Sequence, residues 1–186
     1  MRWTEQEPRL PLQPLSSLQG RLRDRQGPDL DPADEGLTVY APYELRASVW
    51  QHLRDSEIEQ GGLLLGEVFT YEGRTDAASS RAVLLTQSVA ADEFLGSGVS
   101  LRMESGLWET ARAARGPMEI VVGWYHSHPG LGAFFSHTDR RTQAAFFNQP
   151  YSVGWVIDPF NSEQAVFIGA NAEPTGAFIA LEEGAI

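Results

Sequence analysis

The chain has 186 residues, a formal net charge of -11 and no cysteine. Its length suits one domain with a sizeable core, and the lack of cysteine removes disulfides, thiolate metal ligands and a cysteine nucleophile together. The acidic balance argues against a nucleic-acid surface, which needs clustered Lys and Arg. No apolar run is long enough for a membrane span, and no secretory leader is visible, so a cytoplasmic protein without membrane partners is expected.

All 14 basic residues are arginine. An arginine-favouring genome accounts for this, and so does avoidance of lysine beside a lysine-modifying system; the sequence does not separate the two.

Residues 1–36 read as a flexible or extended N-terminal arm, with residues 37–186 as the folded domain. Pro8, Pro11 and Pro14 interrupt short leucine-bearing pieces, and Arg21 to Glu35 is a mixed-charge run. Such a segment buries too little apolar surface to offset its ordering entropy, unless Trp3 or the leucines pack on the domain.

From Leu37 a short strand runs to Tyr40. A helix over Glu44 to Arg54 carries Leu45, Val49 and Leu53 on one face, with His52 read as an ordinary surface histidine. Gly62 to Thr70 and Arg81 to Ala90 read as strands, and Leu101 to Arg115 as a second helix stopped by Gly116-Pro117. Ile120 to Tyr125 is apolar on both faces and is expected to be a central strand. A third helix is predicted from about Thr138 to Gln149, before Pro150. Tyr151 to Ile157, Gln164 to Ile168 and Gly176 to Leu181 complete the strands.

The central strand leads into Gly123-Trp124-Tyr125-His126-Ser127-His128-Pro129-Gly130. In an extended chain, residues two apart share a face, so His126 and His128 present their imidazoles side by side. Pro129 holds His128 in an extended conformation. Asp139, across a glycine-bearing loop, is within reach of both. Two imidazoles and a carboxylate are the ligand set of an open zinc site.

A lone His-x-His is a weak signal. Here it continues as His128-Pro129, then Ser136 and Asp139, and upstream stands Glu59-Gln60-Gly61-Gly62-Leu63-Leu64-Leu65-Gly66. This split pattern resembles the signature of the JAB1/MPN/Mov34 (JAMM) metalloenzymes, over roughly Leu37 to Leu181. The resemblance implies an MPN-type α/β layered (α+β) fold: a curved, mostly antiparallel or mixed sheet packed with about three helices.

It also implies one zinc ion per chain on His126, His128 and Asp139, with Glu59 as general base and acid. Ser136 would help stabilise the oxyanion, a role that competes or coexists with capping the third helix. Glu57 is a rival base by proximity but lies outside the motif spacing, and His137 reads as exposed and idle. Phe134 and Phe135 either pack beneath their loop or flank a groove for an apolar peptide tail.

Members with this full set hydrolyse the amide bond after the terminal glycine of ubiquitin-like proteins. The expected substrate is therefore a ubiquitin-like or sulfur-carrier-like β-grasp protein, with its activating and conjugating enzymes as further partners. The alternatives are an inactive MPN scaffold and a zinc metallopeptidase acting on unrelated peptides. A RadC-like protein shares a similar histidine pattern, but the acidic charge and the Glu59 context count against it.

Overall fold

The computed structural model describes residues 10–24, 36–91 and 105–185. In chain order the elements are β1 (Gln13–Pro14), α1 (Leu15–Asp24), β2 (Thr38–Ala41), α2 (Tyr43–Leu53), β3 (Gly61–Thr70) and β4 (Ser80–Ala90). They continue with α3 (Ser105–Ala114), β5 (Ile120–Ser127), α4 (His137–Phe146), β6 (Val153–Asp158), β7 (Glu163–Ile168), β8 (Glu173–Thr175) and β9 (Phe178–Ala180). The expected elements from Leu37 onwards are present to within a few residues where described; the expected start of the second helix, Leu101, lies outside the described residues.

The nine strands form one sheet in the order β8-β7-β6-β5-β3-β4-β2-β9, with β1 added beside β3. The sheet is mixed, as expected. Parallel pairing is as frequent as antiparallel: β1 with β3, β2 with β4, β2 with β9, and β5 with β6 are parallel. Short connections join antiparallel neighbours only from β3 to β4, β6 to β7 and β7 to β8. The β5–β6 pair is instead bridged by α4, long enough for a parallel crossover.

Side-chain alternation along β3 builds the two faces. Leu64 and Val68 join Leu45, Val49 and Leu53 of α2, together with Val83, Leu85, Val122 and Trp155. Leu63 and Leu65 join Trp124, Phe135, Phe147 and Phe167, with Ala111, Leu107 and Trp108 of α3 packing against them. Burial on both faces explains why β5 carries almost no exposed residue.

The described part of the N-terminal segment follows the exception allowed above, in which its leucines pack on the domain. Within its described part, Leu18 and Leu22 of α1 are fully buried against Tyr40, Phe69, Ala82, Leu84 and Leu181. Arg21 Nη1 lies 2.6 Å from Glu67 Oε2, and Gln13 Nε2 donates to the same carboxylate at 2.8 Å. Residues 10–24 are therefore part of the packed body rather than a flexible arm. The leucines at i and i+4 are a short amphipathic helix signal that the surrounding prolines obscured. Trp3 and residues 25–35 lie outside the described residues.

The helix before Pro150 ends at Phe146. Phe147 leaves the helix with φ -124°, its N–H still bonded to Gln143 O, and buries its ring under Trp124 and Trp108. No helix among the described residues is long and apolar enough to cross a membrane.

Candidate metal centre

His126 and His128 lie at the C-terminal end of β5. His126 is paired with Gly61 of β3 on one side and Val156 of β6 on the other. The N–H of His128 continues the β6 pairing through Ile157 O at 2.9 Å. Both imidazoles are buried, at 1% and 4% exposure. Their Nε2 atoms are 3.2 Å apart.

Asp139 comes from the first turn of α4, a helix whose buried side chains are polar, Asp139 and Gln143. The two are four residues apart and so share one face. A capping box holds the turn: Ser136 Oγ accepts from Asp139 N at 3.2 Å, and Ser136 N donates to Asp139 Oδ2 at 2.6 Å. The Asp139 carboxylate spans the pair, with Oδ1 3.5 Å from His126 Nε2 and Oδ2 3.5 Å from His128 Nε2.

These separations fit a tetrahedral ion. Bonds of about 2.0–2.1 Å to a tetrahedral zinc put neighbouring ligand atoms roughly 3.3 Å apart, close to the 3.2 Å between the two Nε2 atoms. The two 3.5 Å contacts run to different Asp139 oxygens, and one ligand atom from each residue lies within 4.8 Å of the others. Two imidazole lone pairs aimed at one point also repel unless a cation or a proton lies between them. Among the described residues, this is the one group of three or more His, Asp or Glu side chains placed to hold a metal.

Burial opposes the charged form of Asp139, but contacts with His126, His128 and Ser136 outweigh it and hold the carboxyl well below the usual range. Burial keeps His126 neutral by lowering its pKa. At His128 burial acts in the same sense, but Asp139 and Glu59 overcome it and raise the pKa. These shifts favour an ionised Asp139 and a neutral His126.

His126 Nδ1 is buried without a hydrogen-bond partner among the described residues. Packing orients its ring instead. Trp124, two residues earlier on the same face, stacks on it at 4.4 Å with 7° between the planes. The Trp124 Nε1–H donates to Gln143 Oε1 at 2.7 Å, and Gln143 Nε2 donates to Gly169 O at 3.1 Å and Phe147 O at 3.3 Å. Asp139 and Gln143 on one helix face therefore hold, respectively, the histidine edges and the ring stacked on His126.

Glu59 precedes β3 and reaches the same point, Oε1 lying 3.8 Å from His128 Nε2 with the side chain 32% exposed. Glu57 is exposed on the preceding bend. Gly62, in the glutamate half of the motif, makes room beneath: a Cβ there would run into the Val89 carbonyl and meet the Tyr125 ring at 2.9 Å. Tyr125 Oη is in turn 2.9 Å from His52 Nδ1. His52 is thus a half-buried partner of a core tyrosine and not an ordinary surface residue, and burial lowers its pKa.

The loop from His128 to Ser136 is fixed by a residue just past the predicted strand Tyr151 to Ile157. Asp158, fully buried at the end of β6, accepts from Gly130 N (2.9 Å), Phe160 N (3.0 Å) and Asn161 N (3.2 Å) on Oδ1. Its Oδ2 accepts from Gly132 N and Asn161 Nδ2, both at 2.7 Å. Gly130 and Gly132, at φ 72° and 89°, adopt the left-handed conformation that aims both N–H groups at one carboxylate. Burial would raise the Asp158 pKa, yet these donors hold it well below the ordinary value. An Asp at a strand end before Pro159 is an Asx-turn signal that could have marked it.

Phe134 and Phe135 separate. Phe134 is 48% exposed and tilted over His128 at 5.0 Å. Phe135 is buried, stacked on Phe167 at 4.1 Å beside Trp124 and His126. Of the two readings, Phe135 takes the one that packs beneath its loop, because alternation along the loop turns it into the core. Ile58, Leu131 and Phe160 are also exposed, beside Glu59, within the His128–Ser136 loop, and against Gly130 respectively. His137 is exposed.

A mixed sheet delivering two histidines from a central strand to a helix-borne aspartate defines an α+β protein with a candidate metal site. The family model for prokaryotic homologs of the JAB domain matches residues 43–168, and the chain belongs to that family. It is 35% identical over 135 residues to the 26S proteasome non-ATPase regulatory subunit 14 of Dictyostelium discoideum, covering 69% of this chain and 41% of that protein. It is 32% identical over 159 residues to the 26S proteasome regulatory subunit RPN11 of Candida glabrata, covering 83% and 50%. A 69-residue stretch is 42% identical to COP9 signalosome complex subunit 5 of Neurospora crassa, covering 36% and 19%. The chain thus spans half the length or less of these relatives. A solution structure of a Desulfitobacterium hafniense protein shares the fold, with TM-score 0.56 at 19% identity over 78% of this chain and 94% of that one.

Proposed function

We propose that the chain is a zinc-dependent isopeptidase or peptidase that cuts the amide bond after the C-terminal glycine of a ubiquitin-like, β-grasp protein. The observation that supports it most is the convergence of one ligand atom from each of His126, His128 and Asp139 within 4.8 Å, with a partly exposed carboxylate, Glu59, beside them. When bound, zinc on His126, His128 and Asp139 would acidify a water and polarise the scissile carbonyl.

The protein's own groups supply the rest. Glu59 is acceptor-only when ionised, so it takes a proton from the attacking water and then returns it to the leaving amine. Ser136 Oγ serves its cap as an acceptor, which leaves its O–H free to donate to the oxyanion; cap and catalytic donor are compatible. Phe134, with Ile58, Leu131 and Phe160, offers exposed apolar surface to an extended tail. Family relatives named as proteasome and COP9 signalosome subunits support a ubiquitin-like substrate. Its activating and conjugating enzymes are the further partners we propose, in the cytoplasm.

The test is a β-grasp protein ending in Gly-Gly, fused to a reporter and incubated with and without chelator. Chelator-sensitive cleavage is expected, blocked when both glycines become leucine. Glu59→Gln should keep zinc and lower turnover at least about a hundredfold, the scale of a lost general base. Equal hydrolysis of glycine and leucine fusions would leave only a general metallopeptidase, and a zinc-loaded protein without hydrolysis would leave a scaffold.

A further inference from the structure

We infer that Ser127, between the two histidines, is a positioning residue that sets where Glu59 stands relative to the metal ligands. The inference rests on the reading of Glu59 as the general base.

Ser127 is fully buried, and its N–H donates to Gln60 O at 2.8 Å. A regular antiparallel pair would return the bond from Gln60 N–H to the Ser127 carbonyl. Here the side chain takes that place: Gln60 N donates to Ser127 Oγ at 2.9 Å. The hydroxyl is therefore the acceptor that ends the β3–β5 ladder and turns the chain away from the sheet.

The bond matters for Glu59 because a peptide unit is planar. The Gln60 N–H lies in one rigid plane with the Glu59 carbonyl and the Glu59 Cα. Fixing that N–H fixes the plane from which the Glu59 side chain departs. On its other side the His126–His128 segment is held by β6, through Val156 and Ile157. One hydroxyl thus ties the strand carrying the ligands to the segment carrying the carboxylate, whose Oε1 is 3.8 Å from His128 Nε2. Strand alternation turns Ser127 away from the face on which His126 presents its imidazole.

Removing the hydroxyl should leave metal binding intact and misplace Glu59. Wild type, Ser127→Ala, Ser127→Thr and Glu59→Gln are compared as full-length proteins by four readouts. Metal analysis should find unchanged zinc in all of them. Exchange of the Gln60 amide, slow in wild type, should speed up in Ser127→Ala. In the cobalt-substituted proteins, the pH midpoint of the visible spectrum responds to the charge of Glu59. Ser127→Ala should move it in the same direction as Glu59→Gln, and Ser127→Thr should restore it. With the Gly-Gly reporter fusion, Ser127→Ala should lose roughly ten- to a hundredfold in kcat, the cost of a misplaced catalytic group, with KM nearly unchanged.

Rapid exchange of Gln60 in wild type would overturn the inference. So would a Ser127→Ala protein that matches wild type while Glu59→Gln shifts the cobalt midpoint and abolishes turnover; the base assignment would survive that result. If Glu59→Gln changes neither, the base assignment itself fails and takes Ser127 with it. Should Ser127→Ala not fold, Ser127→Cys, near in size and only a weak acceptor, carries the same expectation.

Discussion

Replacing Asp158 with Asn tests how the loop that follows His128 is held. The carboxylate receives five donors, three on Oδ1 and two on Oδ2. An asparagine can keep the three backbone bonds only by placing its carbonyl at the Oδ1 position. Its NH₂ then faces Gly132 N–H, a donor against a donor, while Asn161 can turn its amide to offer oxygen. At minimum one hydrogen bond to a charged acceptor is lost and a donor is left unpaired. Such losses are worth about 2–4 kcal/mol in a buried setting.

The assay is equilibrium urea denaturation at pH 7, with chelator in both samples so that metal binding does not contribute. Folding lowers the Asp158 pKa, so its stabilisation is complete above the unfolded value of about 3.9 and is lost as the pH falls through the folded value. The gap between wild type and Asp158→Asn should therefore narrow on acidification. A gap below about 0.5 kcal/mol at pH 7, the size of an ordinary surface change, or one that widens at low pH would refute the reasoning.

Two further expectations concern the ligands and the N-terminal segment. Wild-type protein should carry close to one zinc per chain after dialysis, and the His126→Ala, His128→Ala double variant close to none; full occupancy in that variant, by elemental analysis, would rule out the site. Leu18→Ala should destabilise the protein by about 2–4 kcal/mol in the same denaturation experiment, because the side chain is fully buried under α1. A loss below about 0.5 kcal/mol would show that residues 10–24 do not pack on the sheet in solution.

Much of the site was legible in the chain because its order is local. His126 and His128 share a face by strand alternation, and Asp139 occupies a helix start that Ser136 marks with its own capping signal. Burial on both faces of β5 likewise follows from an unbroken apolar run. Glu59 was reachable only through the spacing of its glycines, one of which the fold explains by the approach of Tyr125.

Tertiary structure decided the residues whose partners are distant in sequence and not bound by any periodicity. Gln143 reads as a polar helix residue until Trp124, 19 positions away, is placed against it. Asp158 reads as a turn residue until β6 pairs with β5 and brings Gly130 and Gly132 onto its carboxylate. Phe134 and Phe135 are adjacent and chemically identical, yet only the path of the loop leaves one exposed over His128 and the other in the core. The same holds for α1, whose two buried leucines acquire meaning only from a surface built by β2, β3 and β4. Local pattern determines which groups can share a face; which groups meet across elements depends on the order in which the strands pair.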